Sequence, residues 1–359
     1  MWPYLALGGV LTSLAIFRLR NQSTSFAWGI VFVLLVLFVG LRHHVGMDWS
    51  NYLRMLHDVR VSASWSEALI VAEPFYAILL AFGDWTGGGI YLVNLISTAI
   101  ALGGIFRFAR KTPEPWLALL AAFPFLIVVI CMSANRQAIA AGIIMMAAAS
   151  WYRISVVSKC LIILLAAQFH QSALLFFVFV VLELGIPIAA KVVAVAITSV
   201  AAVYFLQTTA IGDYYLQSYA GTGEGEQIEA AGAWIHVLMN ALPAAFYFAM
   251  PKSRKLIFPV PLLRNLAFAA MATFPMVFIA SAAAGRISIY WFPVSIYVWA
   301  ALPGTLPVRQ QALVRLAICA LQMTTLLGWL YLANTSSAHI PYSNALFVEP
   351  WNLDISTSR

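Results

Sequence analysis

Uninterrupted apolar stretches constrain this chain more than any other feature. Phe26 to Leu41 contains no charged residue, and runs of about 16 to 24 such residues, close to the length of a bilayer-spanning helix, recur along the sequence. Backbone groups in lipid find no water, so a spanning segment must be a helix or part of a closed barrel. A barrel would show alternating segments of roughly 10 residues, whereas these runs are apolar on every face. The sequence therefore predicts an all-α, polytopic membrane protein with about 10–14 transmembrane or re-entrant helices, organised as a single membrane domain over residues 1–359. A composition of 63% hydrophobic and 9% charged residues excludes an ordinary soluble domain.

The net charge of +7 does not point to nucleic acid, because the basic residues are scattered at segment ends and form no stripe interleaved with aromatics. Cys131, Cys160 and Cys319 sit in or beside apolar segments without a Cys-x-x-Cys pattern, so neither disulfides nor a zinc site is expected. The first run, Trp2 to Phe17, is followed by Arg18 and Arg20, the reverse of a cleavable signal, and is expected to be retained.

Clear spanning candidates are 2–17, 26–41, 89–109, 115–132, 134–151, 187–207, 233–250, 265–284, 287–302 and 311–333. Two more stretches contain polar interruptions: 67–82 holds Glu73-Pro74, and 159–184 holds Gln168, His170, Gln171 and Ser172. If neither crosses completely, the cytoplasmic loops collect Arg18, Arg20, Arg107, Arg110, Lys111, Arg153, Lys159, Lys191, Lys252, Arg254, Lys255, Arg264, Arg309 and Arg315, which is 14 of the 20 basic residues. Both termini, an amphipathic segment 42–66 and the polar loop 208–232 then lie outside; full crossing of both would invert the block 89–151. The loop carries tyrosines beside acids, suited to stacking on sugars or equally to a solvated connector.

Arg42-His43-His44-Val45-Gly46-Met47-Asp48 leaves an apolar span with several ionisable groups at once, and Trp49, Tyr52, Leu53 and Leu56 then recur at helical spacing. Asp48 is a candidate general base or a helix cap. The run from Pro115 to Tyr152 must break, and Ser133-Ala134-Asn135 is its polar point, so Arg136 is expected to open a helix. A cation there opposes the helix dipole unless an anion joins it. The same reasoning places a break at Ala282-Ala283-Ala284-Gly285 and makes Arg286 open the next helix, with Tyr290 one turn later. Arg42, Arg136 and Arg286 would form a clamp for an anion such as a diphosphate, or each would snorkel to headgroups. His170 is a candidate for proton transfer or a buried bridge between helices. Glu73 would bind hydroxyls or satisfy backbone groups freed at Pro74. Adjacent His43 and His44 point apart, which argues against a metal.

The pattern Arg42, Val45, Gly46, Asp48 and Tyr52 resembles the Arg-x-x-Val-Gly-x-Asp-x-x-x-Tyr signature of the EpsG family, related to Wzy-type polymerases of O-antigen and exopolysaccharide. Glu73-Pro74-Phe75, Arg136-Gln137, His170-Gln171-Ser172, Arg286 with Tyr290, and Pro341-Tyr342 resemble its later landmarks in the same order. The resemblance implies a GT-C-like membrane glycosyltransferase without metal or cofactor, in the bacterial inner membrane with its active site facing the periplasm. Its donor would be a growing glycan on undecaprenyl diphosphate and its acceptor a single lipid-linked repeat unit, with membrane lipid, a flippase and a chain-length regulator as further partners. His170 and Asp48 would be catalytic, and Arg42, Arg136, Arg286, Tyr52, Glu73 and Tyr290 would bind substrate. An O-antigen ligase or another membrane glycan transferase is the nearest rival, and a lipid-linked glycan flippase or transporter the rival from another class.

Overall fold

The computed structural model describes residues 1–17, 23–193, 197, 232–249 and 261–348. Regular structure among them is helical, and the extended pairing is an isolated antiparallel bridge between Arg42 and Asn344. The chain divides into two compact units, one of Met1–Ser150, Leu164–Ala173 and Trp299–Arg359, the other of Trp151–Ile163 and Leu174–Val298. Among the described residues, three helices are long and apolar enough to cross a membrane: Gly89–Ala109, Pro115–Ser133 and Val308–Leu332. Shorter apolar helices include Trp2–Phe17, Ser25–Gly40, Val156–Ala167 and Ala233–Ala249. The chain is thus an all-α polytopic membrane protein.

The first unit opens with α1 (Trp2–Phe17) and α2 (Ser23–Gly40), followed by α3 (Trp49–Val61), α4 (Trp65–Ala68), α5 (Pro74–Trp85) and α6 (Gly89–Ala109). On α3, Trp49, Tyr52, Leu53, Leu56 and Val59 form one buried stripe against Tyr76, Leu80, Ile90, Val93 and Ile139, while Asn51, Arg54, His57 and Asp58 stay exposed. The amphipathic pattern read from the sequence is therefore used, and its apolar side is covered by α5 and α6.

The next helix is α7 (Pro115–Ala122), an eight-residue π-helical stretch Phe123–Ile130 and α8 (Cys131–Ser133), and α9 (Asn135–Ala148) follows at once. Pro124 lies in the first turn of the π stretch, where wider winding accommodates a residue that cannot donate to the preceding turn. Helices α6 and α9 cross with backbone against backbone: a Cβ on Gly104 would run into the Gly142 carbonyl, so close approach requires glycine here. The expected span 134–151 is shorter than drawn, with α9 ending at Ala148.

Both interrupted stretches break where the polar residues stand. Helix α5 begins at Pro74, with Glu73 at its N-cap, and its 12 residues reach only about 18 Å at 1.5 Å per residue. Helix α10 (Val156–Ala167) ends before Gln168, and 3-10 winding over Gln171–Phe176 leads to α11 (Phe177–Glu183).

In the second unit, α12 (Ala233–Ala249) packs on α13 (Pro261–Met276) and α14 (Ser281–Ser288). The break expected at 282–285 lies instead at 277–280, and α14 starts at Ser281. The ladder gives way to tight turn bonds, from Val277 N to Phe274, Phe278 N to Pro275 and Ile279 N to Met276, whereas three alanines have no reason to leave a helix. The winding then continues through Ile289–Trp291 into α15 (Phe292–Ala301), and α16 (Val308–Leu332) belongs to the first unit. Of the expected span 187–207, residues 194–196 and 198–207 lie outside the described residues, as does the loop 208–232 up to Ala231.

Candidate active site

Arg42 follows the end of α2 and is fully buried. Its Nε donates to the Val45 carbonyl at 3.1 Å, Nη1 to the Val39 carbonyl at 2.8 Å, and Nη2 to Asn135 Oδ1 at 2.7 Å and Asn94 Oδ1 at 3.4 Å. Burial pushes the guanidinium down to about 10, with Tyr52 and Tyr76 opposing the change. The fork that sequence reasoning assigned to a ligand is turned inward onto the chain's own acceptors. Asn94 and Asn135, bonded to each other at 2.5 Å, are the partners that the landmarks did not reveal. A single amide inside the apolar run 89–109 was the available signal for Asn94.

The loop after Arg42 is held from the far end of the chain. His43 N donates to the Ser343 carbonyl at 3.0 Å, Ala345 N to Leu41 at 2.7 Å and Gly46 N to Ala338 at 2.8 Å. Tyr342 stacks on Phe38 and donates to its carbonyl at 2.7 Å, so the Pro341-Tyr342 landmark is a clasp. Gly46, at φ 108, presses on the Met132 carbonyl where any Cβ would collide. Met47 N donates to Ser133 Oγ at 3.2 Å, Ser133 Oγ meets His339 Nε2 at 3.3 Å, and His339 Nδ1 meets the Thr335 carbonyl at 3.3 Å. A carbonyl can only accept, so His339 carries a proton on Nδ1; burial pushes the ring down to about 4, which keeps it neutral at pH 7 and leaves Nε2 to receive the Ser133 hydroxyl.

Beside this loop, His43 Nδ1 lies 2.6 Å from the Tyr91 hydroxyl with the two rings stacked, and His44 and Trp49 join them edge to face or tilted. His44 is exposed at φ 51, a left-handed conformation unusual for a side chain of its size. Among the described residues, no three of His, Cys, Asp or Glu gather into a metal-holding group.

Arg136 is the second residue of α9, as the sequence predicts. Its Nη1 lies 2.7 Å from Glu73 Oε2, with the arginine side chain 23% exposed and the glutamate 4%. The anion that the helix N-terminus calls for is thus the protein's own carboxylate. Glu73 makes no side-chain capping bond to α5, and its Oε1 is buried without a hydrogen-bond partner. Such an atom costs about 1–3 kcal/mol unless something reaches it.

Tyr52 is buried, and burial pushes its phenol up to about 12, with the Asp48 carboxylate adding to the rise and Arg136 opposing it through its charge and backbone N–H. Asp48 and Arg136 therefore act on the same hydroxyl. Asp48 stands at the N-cap of α3 but makes no side-chain capping bond. The helix break before His170 reaches the same neighbourhood, because Phe75 N donates to the Gln168 carbonyl at 3.1 Å and Phe169 packs edge-on against Phe75. His170 is buried, and its Nδ1 lies 2.6 Å from Ser172 Oγ and 3.3 Å from Ser172 N. A backbone N–H can only donate, so Nδ1 accepts and the neutral ring carries its proton on Nε2.

Arg286 and Tyr290 lie in the second unit. Arg286 is the sixth residue of α14 rather than a helix opener, beyond the first turn where the dipole acts, so the conflict that pointed to an anion is absent there. Tyr290 is buried, its ring edge-on to Phe176. Glu183 in the same unit accepts from Trp151 Nε1 at 2.6 Å, Tyr152 hydroxyl at 2.9 Å and Lys159 Nζ at 2.9 Å, which closes that acid off as a structural centre.

With that geometry in view, comparison with known families is decisive: the EpsG family model matches residues 25–344. The chain belongs to the EpsG family. No curated protein and no solved structure matches it. As an EpsG-family member it is a polysaccharide polymerase-like membrane protein, with a glycosyltransferase-like role in polysaccharide biosynthesis. The region matching the EpsG model ends at Asn344, the residue bridged to Arg42, so it takes in both sides of the clasp.

Proposed function

We propose that the chain polymerises lipid-linked glycan repeat units at the outer face of the bacterial inner membrane. The donor is a growing polysaccharide on undecaprenyl diphosphate and the acceptor a single lipid-linked repeat. The observation that carries this reading is the Arg136–Glu73 pair at the N-terminus of α9, beside Asp48 and Tyr52. The departing diphosphate needs charge stabilisation, which a guanidinium at the positive end of a helix dipole supplies without a nucleotide fold or a metal.

His170 offers a proton-bearing Nε2 and serves as a donor that orients substrate. Its other nitrogen already accepts from Ser172, so the base for the attacking hydroxyl is a carboxylate, Asp48 or Glu73. Arg42 is a positioning residue that sets Asn135 and hence the start of α9. Segment 42–66 and loop 208–232 face the periplasm in this reading, and Arg286 and Tyr290 remain substrate candidates of the second unit.

Purified protein supplied with lipid-linked repeats should build a ladder of products. Arg136→Ala should cut turnover by roughly 100- to 1000-fold, as loss of a transition-state donor does, and Arg136→Lys should recover part of it. A folded Arg136→Ala that polymerises at the normal rate overturns the assignment. Accumulation of unpolymerised repeats on the cytoplasmic face after removal of the protein would indicate a flippase instead.

A further inference from the structure

We infer that Glu73 is the proton acceptor for the attacking sugar hydroxyl, and that the Arg136–Glu73 ion pair keeps it idle until donor diphosphate displaces it. The inference rests on the polymerase reading above and deepens it.

Three observations converge. Glu73 and Arg136 are paired at 2.7 Å through Oε2 alone. The second oxygen, Oε1, is buried and has no hydrogen-bond partner, in a side chain only 4% exposed. The carboxylate also stands outside the structural role its position suggests, since it occupies the N-cap of α5 without capping it, and the backbone carbonyl of Glu73 takes the Tyr76 and Ala77 N–H groups instead. A buried acid that stabilised only its own helix or its own ion pair would have both oxygens engaged.

The donor's diphosphate carries more negative charge than one carboxylate and suits the same two attractions, the Arg136 guanidinium and the N-terminus of α9. When it binds, Glu73 loses its counter-charge and gains an anion nearby, and both changes make it a better proton acceptor. In the transfer, the acceptor hydroxyl oxygen bonds to the donor's anomeric carbon as the bond from that carbon to the diphosphate oxygen breaks. The electron pair leaves with undecaprenyl diphosphate, and the hydroxyl proton passes to Glu73 Oε1. The base is thereby released only where a donor is bound, which ties proton acceptance to the presence of a leaving group.

The test uses the full chain, undecaprenyl diphosphate alone as the binding probe, and lipid-linked repeats for turnover. Glu73→Gln keeps the shape, removes the competing charge and cannot accept the proton. It should bind undecaprenyl diphosphate about 5- to 10-fold more tightly while turnover falls at least about 100-fold, and the acidic limb of the turnover–pH profile should vanish. A residue that merely holds Arg136 would show the opposite in binding, with affinity and turnover falling together. Unchanged affinity overturns the gate, and unchanged turnover overturns the base. Should Glu73→Gln not fold, judged by its size-exclusion profile, Glu73→Asp carries the same test, with tighter probe binding and slower turnover that keeps its acidic limb. A wild-type chain that neither binds the probe nor extends repeats defeats the polymerase reading itself, a result distinct from either of those failures.

Discussion

Arg42 donates from Nη2 to Asn135 Oδ1 across 2.7 Å, tying the loop after α2 to the first residue of the helix that presents Arg136. Arg42→Ala would leave the Val39 and Val45 carbonyls and Asn135 Oδ1 unpaired in the interior, at about 1–3 kcal/mol for each. The expected outcome is a protein that melts well below the wild type or fails size exclusion. Arg42→Lys should not rescue it, because an ammonium cannot serve three separated acceptors. A stable but inactive Arg42→Ala would instead mean that this arginine touches substrate.

Gly46→Ala should be nearly as damaging. At φ 108 the added methyl is strained, and it also meets the Met132 carbonyl, so a loss of about 2–3 kcal/mol is expected. A thermal melt within a degree or two of wild type would contradict the close approach of this loop to the end of α8.

Stability should fall on acidification through one identifiable histidine. Burial pushes His339 down to about 4 from its ordinary 6.5, so between those values the unfolded chain binds more protons than the folded one. Stability therefore rises with pH across this window and is lost as pH falls from about 6.5 towards 4, by up to about 3 kcal/mol. Burial and the neighbouring His44 depress His43 in the same direction. Melting wild type and His339→Gln from pH 7 to pH 4 should show a flatter dependence in the variant, and parallel curves would remove His339 from the account.

Two placements follow from the charge distribution. Cysteine at Ser62, just beyond α3, and at Gly223 in the polar loop should both react with an impermeant thiol reagent in whole cells whose native cysteines have been replaced. Labelling of either only after lysis would invert the orientation.

Turnover should survive excess chelator. Loss of activity restored by one particular divalent metal would make His43 and His44 ligands after all.

Local chemistry was readable in the chain wherever a residue dictates its own backbone. Pro74 announces the start of α5, the polar point 133–135 announces α9, and the buried spacing of α3 follows from Trp49, Tyr52, Leu53 and Leu56. The break at 277–280 was not readable in the same way, because Val277, Phe278 and Ile279 are apolar and nothing in their chemistry announces a turn. The destination of Arg42 was not readable, because its partners Asn94 and Asn135 come from other helices and no period links them. Nor did Glu73 announce itself as the counterion of Arg136, 63 positions away, although each alone was a sound candidate.

The bond from Gly46 N to the Ala338 carbonyl sets an order of events during synthesis. A ribosome delivers the early segments first, and they pack as they arrive. Residues 42–46 must nevertheless wait until residues 338–343 have been made before Ala338, Ser343 and Tyr342 can close over them. A nascent or prematurely terminated chain therefore has its loop unlatched and the start of α9 unsupported. Latching of residues 42–46 is therefore a late event in synthesis, and a chain cut short before Ala338 sits in the membrane without it.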